Sequence, residues 1–166
     1  MWAQHQFLSE QIAALEAERR AVLQSAQETS IEQVRQLMQL RGIGINGAWL
    51  FVMEFFGWRA LQTRREVGGF AGVTPTPYPS GASAREQGIT KAGNRHVRWM
   101  TTELAWSGLR YQPESARSGW FRERFGGGGK RLRRIGIVAV ARKFLIALWR
   151  FLKTGVTPEG AARKAA

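Results

Sequence analysis

Glycine and proline residues confine the irregular part of this chain to one stretch, 68–93. The stretch contains the run Gly-Gly-Phe-Ala-Gly from residue 68 and prolines at positions 75, 77 and 79. Because such residues interrupt helices and strands, the sequence predicts an ordered but irregular loop that carries Ser80. Most other segments have helical patterns, so we expect a mainly α fold with this serine loop as its chief irregular part.

The N-terminal segment, residues 1–36, is predicted to form an amphipathic helical arm that begins with one long helix. Apolar residues recur at spacings of four and three through Leu8, Ile12 and Leu15, with no proline or glycine between them. Arg19 interrupts this stripe, and about three heptads make a short repeat for a coiled coil. Two alternatives therefore stay open: a coiled-coil seam that would make a homo-oligomer, or a helix packed on its own domain.

A helix-turn-helix pattern follows at 37–58. Its turn contains Gly42 and Gly44 on either side of one apolar residue, and Asn46 is the expected cap of the second helix. Two such glycines permit a tight hairpin, and exposed amides at the start of the next helix can hold a phosphate without reading bases. The pattern resembles helix-hairpin-helix DNA-binding motifs, while a purely structural turn is the alternative.

Cations cluster at the start of a later helix. The run Thr-Lys-Ala-Gly-Asn that ends at Asn94 predicts a helix start, and the helix should continue to about Tyr111. Lys91, Arg95 and Arg98 have spacings of four and three, which would place them on one helical face beside the positive end of the dipole. These residues form a candidate phosphate site, and a solvated basic face is the alternative.

A second basic segment precedes a nearly apolar run at 135–152. Its candidate phosphate contacts are Lys130, Arg131, Arg133 and Arg134. The apolar run is long enough to span a bilayer, but Arg142 and Lys143 would then lie at its centre, at a cost of about 2.5–3.5 kcal/mol each. We therefore expect a core helix within a helical bundle at 94–153, no membrane partner, and a flexible tail at 156–166.

Charge limits the classes of function. Lysine and arginine number 25 against 12 acidic residues, giving a net charge of +13, which favours nucleic acid over an anionic membrane as partner. All the acidic residues are glutamates, which argues against a self-contained two-metal nuclease, and the absence of cysteine excludes cysteine-based zinc sites. We expect no metal site in this chain. The N-terminus lacks a secretion-signal pattern, so a cytoplasmic, nucleoid-associated protein is expected.

The order of the motifs is more specific than any one of them. The Gly-Ile-Gly turn is followed by Gly-Val-Thr-Pro from Gly72, by Ser80 with a glycine after it, and by Gly-Ile-Thr-Lys-Ala-Gly-Asn from Gly88. From 37 to 160 the chain resembles the C-terminal transposase domain of the insertion-sequence family one-hundred-and-ten. These are the bacterial DEDD-type transposases, also called bridge recombinases. Arg41 stands where that family usually has proline before the turn.

The resemblance implies a chemistry. In that family the serine of this loop attacks a DNA phosphodiester and forms a covalent serine–DNA intermediate. Ser80 matches that position, and Ser83 is the fallback candidate. The family pairs this domain, here 37–155, with an N-terminal RuvC-like domain whose four acidic residues bind Mg²⁺. We expect no cofactor in this chain, Mg²⁺ only through the missing RuvC-like domain, and no catalysis by the isolated chain.

The implied partners are the DNA of element ends and target, and a structured guide RNA. Two other classes of function remain: a helix-hairpin-helix DNA or RNA binder without chemistry, and a basic protein of the membrane surface.

Overall fold

The computed structural model describes residues 2–80 and 83–164, with the backbone alone over 77–80 and 83–87. Most of the described residues are helical, which confirms the expected mainly α fold. The described elements, in chain order, are α1 (Trp2–Ser25), α2 (Thr29–Met38), α3 (Ile45–Phe51), a π-helical turn (Val52–Phe56), α4 (Arg64–Phe70), β1 (Pro75–Ser80), β2 (Ser83–Ile89), α5 (Arg95–Tyr111), α6 (Ala116–Phe125) and α7 (Lys130–Thr154).

Helix α7 is the central helix of the fold. Its C-terminal half packs in the main core with α2, α3, α4 and α5 through three buried side chains, Leu145, Leu148 and Phe151. Its middle packs with α5 and α6 in a smaller cluster through Ile137, Val140 and Ala141. Full burial of such a side chain contributes about 1.5–3 kcal/mol. The apolar run is therefore a core helix, as expected, and none of the described helices is long and apolar enough to cross a bilayer.

Helix α1 lies on the outside of this core, and none of its described residues is buried. Leu8, Ile12 and Leu15 are 58%, 57% and 53% exposed. Only the C-terminal half is held, because Glu16 and Arg19 hydrogen-bond to the Asn46 side chain at 2.8 and 2.7 Å. The single chain thus leaves the apolar stripe of the N-terminal half in contact with solvent.

The turn between α2 and α3 has the expected tight geometry. Gly42 has a φ of +92°, a conformation that side chains disfavour, and Ile43 between the two glycines is only 2% exposed. The expected cap is wrong: α3 begins at Ile45 after Gly44, and Asn46 lies inside the helix. Its amide is used instead to hold α1, a contact that local sequence does not encode.

Part of the expected irregular loop is a β-hairpin. Strands β1 and β2 pair antiparallel, from Pro75 opposite Ile89 to Ser80 opposite Ser83. The prolines occupy every second position of β1, so all three missing N–H groups fall on the same edge of the strand. That edge is free of pairing in a two-stranded sheet, and prolines are tolerated there.

The segment after α7 differs from the expected flexible tail. Gly155 ends α7 in the left-handed conformation, with φ of +70°, and the chain then returns to the turn after α2. Arg41 N–H donates to the Ala162 carbonyl, and Lys164 N–H donates to the Gln39 carbonyl, both at 2.8 Å. The Lys164 ammonium also donates to the Ile43 carbonyl at 2.9 Å. These bonds fix the described end of the chain to the Gly-Ile-Gly turn.

Candidate functional site

The candidate nucleophile and its fallback lie together at the closed end of the hairpin. Ser80 and Ser83 are Cα partners across β1 and β2. The structure gives the backbone alone at both positions, so the choice between their hydroxyls stays a prediction. Five residue steps separate Ser80 from Pro75, which corresponds to about 17 Å of strand. The candidate serines are therefore far from the base of the hairpin.

The base of the hairpin is fixed to the end of α4 and the start of α5. The N–H of Val73 donates to the Gly68 carbonyl at 3.0 Å, within the turn that ends α4. Three further backbone hydrogen bonds join the two sides of the base: Thr90 to Thr74 at 3.0 Å, Lys91 to Gly72 at 3.3 Å and Asn94 to Phe70 at 3.0 Å. The hairpin thus extends from a platform formed by two helices.

The Lys-Ala-Gly-Asn motif builds this platform. Lys91 has a φ of +55°, which is uncommon for a residue with a side chain. A Cβ on Gly93 would lie 2.6 Å from the Gly72 nitrogen and 2.8 Å from the Ala71 carbonyl carbon, so only glycine fits. Asn94 caps α5 by accepting from the N–H groups of His96 and Val97 at 2.9 and 3.0 Å. The predicted helix start and end are both confirmed, since α5 runs from Arg95 to Tyr111.

A carboxylate that the sequence analysis missed lies beside the N-terminus of α5. Glu54 accepts from the Asn94 side chain at 3.0 Å and lies 3.1 Å from His96 Nδ1. Glu54 belongs to the π turn, whose extra residue per turn alters which side chains face α5. The only sequence signal is a single glutamate in the apolar run that follows α3.

The three cations of the predicted helical face have different environments. Lys91 precedes the helix, so it cannot share a helical face with the other two. Arg98 turns back toward the hairpin base, where its guanidinium donates to the carbonyls of Lys91 at 3.1 Å and Ala71 at 3.4 Å. Arg95 is exposed, and its Nε donates to His96 Nε2 at 3.2 Å. Lys91 and Arg95 are therefore the cations of this group that face solvent.

The other predicted phosphate contacts lie elsewhere on the molecule. Gly42 and Gly44 are exposed at the turn after α2. The basic start of α7, 130–134, is also exposed. Along α7 it is about 12–18 Å from Arg142, which adjoins the hairpin base: a Cβ on Gly68 would lie 3.1 Å from Arg142 Nε. The predicted contacts thus form three separate surfaces.

The described residues do not fit a magnesium site. Divalent magnesium is usually held by several oxygen ligands, mainly carboxylates. Within 2–80 and 83–164 there is no group of three or more histidine or glutamate side chains placed to hold an ion. Glu54 provides one carboxylate, and its oxygens already contact Asn94 and His96.

Comparison with known proteins assigns the family. The model of the Transposase IS116/IS110/IS902 family matches residues 34–120, just over half of the chain. The chain belongs to this transposase family. The matched range includes the Gly-Ile-Gly turn, the hairpin and all of α5. The expected resemblance is thereby confirmed.

Two curated transposase relatives come from Sinorhizobium fredii. The chain is 41% identical over 162 residues to a protein named "Putative transposase y4rJ", a match that covers 93% of this chain and 41% of that protein. It is 35% identical over 77 residues to "Putative transposase y4qE", which covers 46% of this chain and 20% of that protein. The chain thus spans less than half the length of either relative.

Proposed function

We propose that this chain is the DNA-binding C-terminal part of an insertion-sequence transposase, and that it supplies Ser80 as the nucleophile for strand cleavage and transfer. One observation carries the proposal: Ser80 ends a strand of a hairpin whose base is bonded to α4 and α5. Family membership supplies the chemical context. A RuvC-like metal-binding part would come from outside this chain, which spans 41% of the length of its relative y4rJ.

The proposed reaction is a pair of transesterifications at phosphorus. The Ser80 hydroxyl gives its proton to a base, a serine-oxygen-to-phosphorus bond forms, and the bond from phosphorus to the leaving strand's oxygen breaks as that oxygen takes a proton. A hydroxyl of the incoming strand then gives its proton to a base and displaces the serine oxygen, which takes a proton and is restored as the Ser80 hydroxyl. The number of phosphodiester bonds is conserved, so the step needs no external energy source.

The exposed cations at the hairpin base would contact DNA away from the scissile phosphate. Lys91 and Arg95 lie near the base, about 17 Å of strand from Ser80. At this distance they cannot contact the phosphorus that Ser80 attacks, but they can contact backbone phosphates a few nucleotides away. Asn94 and Arg98 would act indirectly, since both make hydrogen bonds that hold the base together.

A covalent-adduct assay tests the nucleophile. The chain would be combined with a RuvC-like partner domain, guide RNA and element DNA, and protein-linked DNA would be measured on denaturing gels. Ser80→Ala should reduce the adduct at least about a thousandfold, as removal of a catalytic serine does elsewhere. Ser83→Ala is the matched control, because it removes the same hydroxyl from the partner position across the strands. If Ser80→Ala forms the adduct as well as the unchanged chain does, the assignment is wrong.

A DNA or RNA binder without chemistry is the second candidate function. The observation in its favour is the tight turn between α2 and α3, in which Gly42 has a φ of +92° and both glycines are exposed. It would apply if the adduct never forms and nucleic-acid binding is lost when Gly44 is replaced.

The exposed stripe of α1 also supports assembly. Leu8, Ile12 and Leu15 present a continuous apolar row that the single chain leaves unpacked. We propose that this row joins two or more copies of the chain, with a guide RNA as a further partner of the assembled transposase.

A further inference from the structure

A broad groove on the surface of the molecule is separate from all of the predicted phosphate contacts. It is formed by α6, α7 and the segment 156–159, with Arg64 at the start of α4 on its rim. Its volume is about 960 Å³. None of the candidate phosphate contacts from the sequence analysis lines it.

The lining of the groove is strongly basic. One glutamate, Glu159, is present among five cations: Arg64, Arg117, Lys143, Arg150 and Lys153. Four of these cations are exposed, and Arg117 is partly buried. Burial lowers the pKa of the Arg117 guanidinium, while Glu159 acts in the opposite direction. A phosphate beside Arg117 would supply the counter-charge that a partly desolvated guanidinium favours.

Two tryptophans lie among these cations. The Lys143 ammonium is 4.4 Å from the ring centroid of Trp120, and the Lys153 ammonium is 4.9 Å from that of Trp149. Both tryptophans line the groove and both are partly exposed. Lys143 and Lys153 are ten residues apart on α7, or about 15 Å. Aromatic and cationic groups therefore alternate along a length that covers two or three nucleotides of an extended strand.

We propose that this groove binds single-stranded nucleic acid, with unpaired bases stacked on Trp120 and Trp149 and the backbone phosphates paired with the lysine and arginine side chains. Stacking platforms interleaved with cations are the arrangement by which proteins hold single strands without reading their sequence. A duplex fits this lining less well, because its bases are already stacked and paired and only its phosphates remain available to the groove. The inference deepens the proposed function and rests on it in one respect only, namely that the partner of the chain is nucleic acid.

Binding of labelled oligonucleotides to the full chain tests this inference. The probes are a thymidine-rich single-stranded DNA, the uridine-rich RNA of the same length, and the corresponding duplex, each titrated by fluorescence anisotropy at several salt concentrations. The groove variants are Trp149→Leu and the double variant Lys143→Ala with Arg150→Ala. The matched control is Arg20→Ala with Arg110→Ala, which removes the same charge from exposed positions on α1 and α5 that neither line the groove nor belong to the candidate phosphate contacts.

The expected result is a selective loss of single-strand binding. Trp149→Leu should weaken it roughly 5- to 150-fold, as loss of one stacking side chain does. The double lysine-arginine variant should lower the slope of log affinity against log salt by about 1.4, while the control leaves single-strand affinity within roughly twofold of the unchanged chain. A thermal melt of each variant separates loss of binding from loss of fold, and the DNA and RNA probes show which strand the groove prefers.

Other outcomes overturn the proposal in distinguishable ways. If duplex binding falls as much as single-strand binding in the groove variants, the preference for unpaired bases is wrong. If the control variant loses as much single-strand affinity as the groove variants, the groove is not the site, although the proposed function stands. If the unchanged chain binds none of the three probes, both the groove and the proposed DNA-binding function fail.

Discussion

Gly93 is the residue on which the hairpin base depends most directly. Its α-carbon faces the Phe70 carbonyl oxygen, and any side chain would collide with backbone of the segment that follows α4. Backbone cannot move aside as the end of a flexible side chain can. The glycine in the Lys-Ala-Gly-Asn motif is therefore explained by close approach between two chain segments, with no need for a direct role in catalysis.

Gly93→Ala should destabilise the fold by on the order of 2–3 kcal/mol, because its methyl group has no room beside Gly72. The measurement is urea denaturation followed by far-ultraviolet circular dichroism. Gly69→Ala is the control, since a Cβ there meets no atom within 4 Å and lies inside α4. This change should be neutral or stabilising by about 0.5–1 kcal/mol. Equal stability of the two variants would contradict the steric explanation.

The start of helix α4 is marked in the sequence by a capping box, a signal that the prediction of an irregular loop did not use. Thr63 and Glu66 form a capping box: the Thr63 hydroxyl oxygen accepts from the Glu66 N–H at 3.3 Å, and its proton is donated to the Glu66 carboxylate at 3.0 Å. The Gln62 N–H also donates to this carboxylate, at 2.9 Å. The glycines at 68 and 69 concealed the helix, although both lie in its last turn.

The capping box predicts a pH-dependent stability. Hydrogen bonds from the Gln62 N–H and then the Thr63 side chain lower the pKa of Glu66. A lowered carboxyl pKa stabilises the fold above the pKa of the unfolded chain, and this contribution is lost as pH falls through the lower folded value. Glu66→Gln should therefore destabilise the protein near neutral pH and leave it unchanged in strong acid.

Urea denaturation of both forms at about pH 7 and about pH 3 measures this difference. Glu10→Gln on exposed α1 is the control for removal of one glutamate charge. A constant difference between Glu66→Gln and the unchanged protein at both pH values would rule out the titration of Glu66 as its cause.

Helix α1 gives a second prediction at this scale. Leu8→Glu combined with Ile12→Lys and Leu15→Glu should shift the protein to monomer, because these changes place charges on the exposed apolar row. Stability of the monomer should change by less than about 0.5 kcal/mol, since none of the described residues of α1 is buried. Light scattering after size-exclusion chromatography measures the mass.

The control is Gln6→Ala with Glu10→Ala, on the opposite side of α1 by helical spacing. An unchanged oligomeric state in the triple variant, or a monomeric state in the unchanged protein, would contradict assembly through this row.

Over the whole molecule, the spacing of apolar residues and the positions of capping, glycine and proline residues are sufficient to predict most helices. The apolar run of α7, the start of α5 at Asn94 and its end at Tyr111 all follow from local rules and are confirmed. The sequence predicts a loop instead of the hairpin because prolines usually interrupt strands, whereas an edge strand tolerates them at alternate positions. Local rules describe the effect of a residue on the conformation of its own segment. They fail where pairing with another segment determines that conformation.

The candidate site likewise has features that local sequence predicts and contacts that it does not. The position of Ser80 within its motif could be recognised from sequence, and its place at the end of a strand is seen only in the structure. The hydrogen bond between Asn94 and Glu54 depends on the π turn. The contact of Lys143 with Trp120 depends on the packing of α6 against α7. Such contacts join residues far apart in the chain, so no local pattern predicts them.

The docking of the last described residues onto the turn after α2 has a consequence for biosynthesis. The Lys164 side chain bonds to the Ile43 carbonyl across a separation of 121 residues. Since ribosomes add about 5–20 residues per second, Lys164 is joined to the chain roughly 6–24 s after Ile43. During that interval the turn has been made but lacks the partners that fix it, so a nascent chain cannot hold the Gly-Ile-Gly turn in its final state until Lys164 has been added.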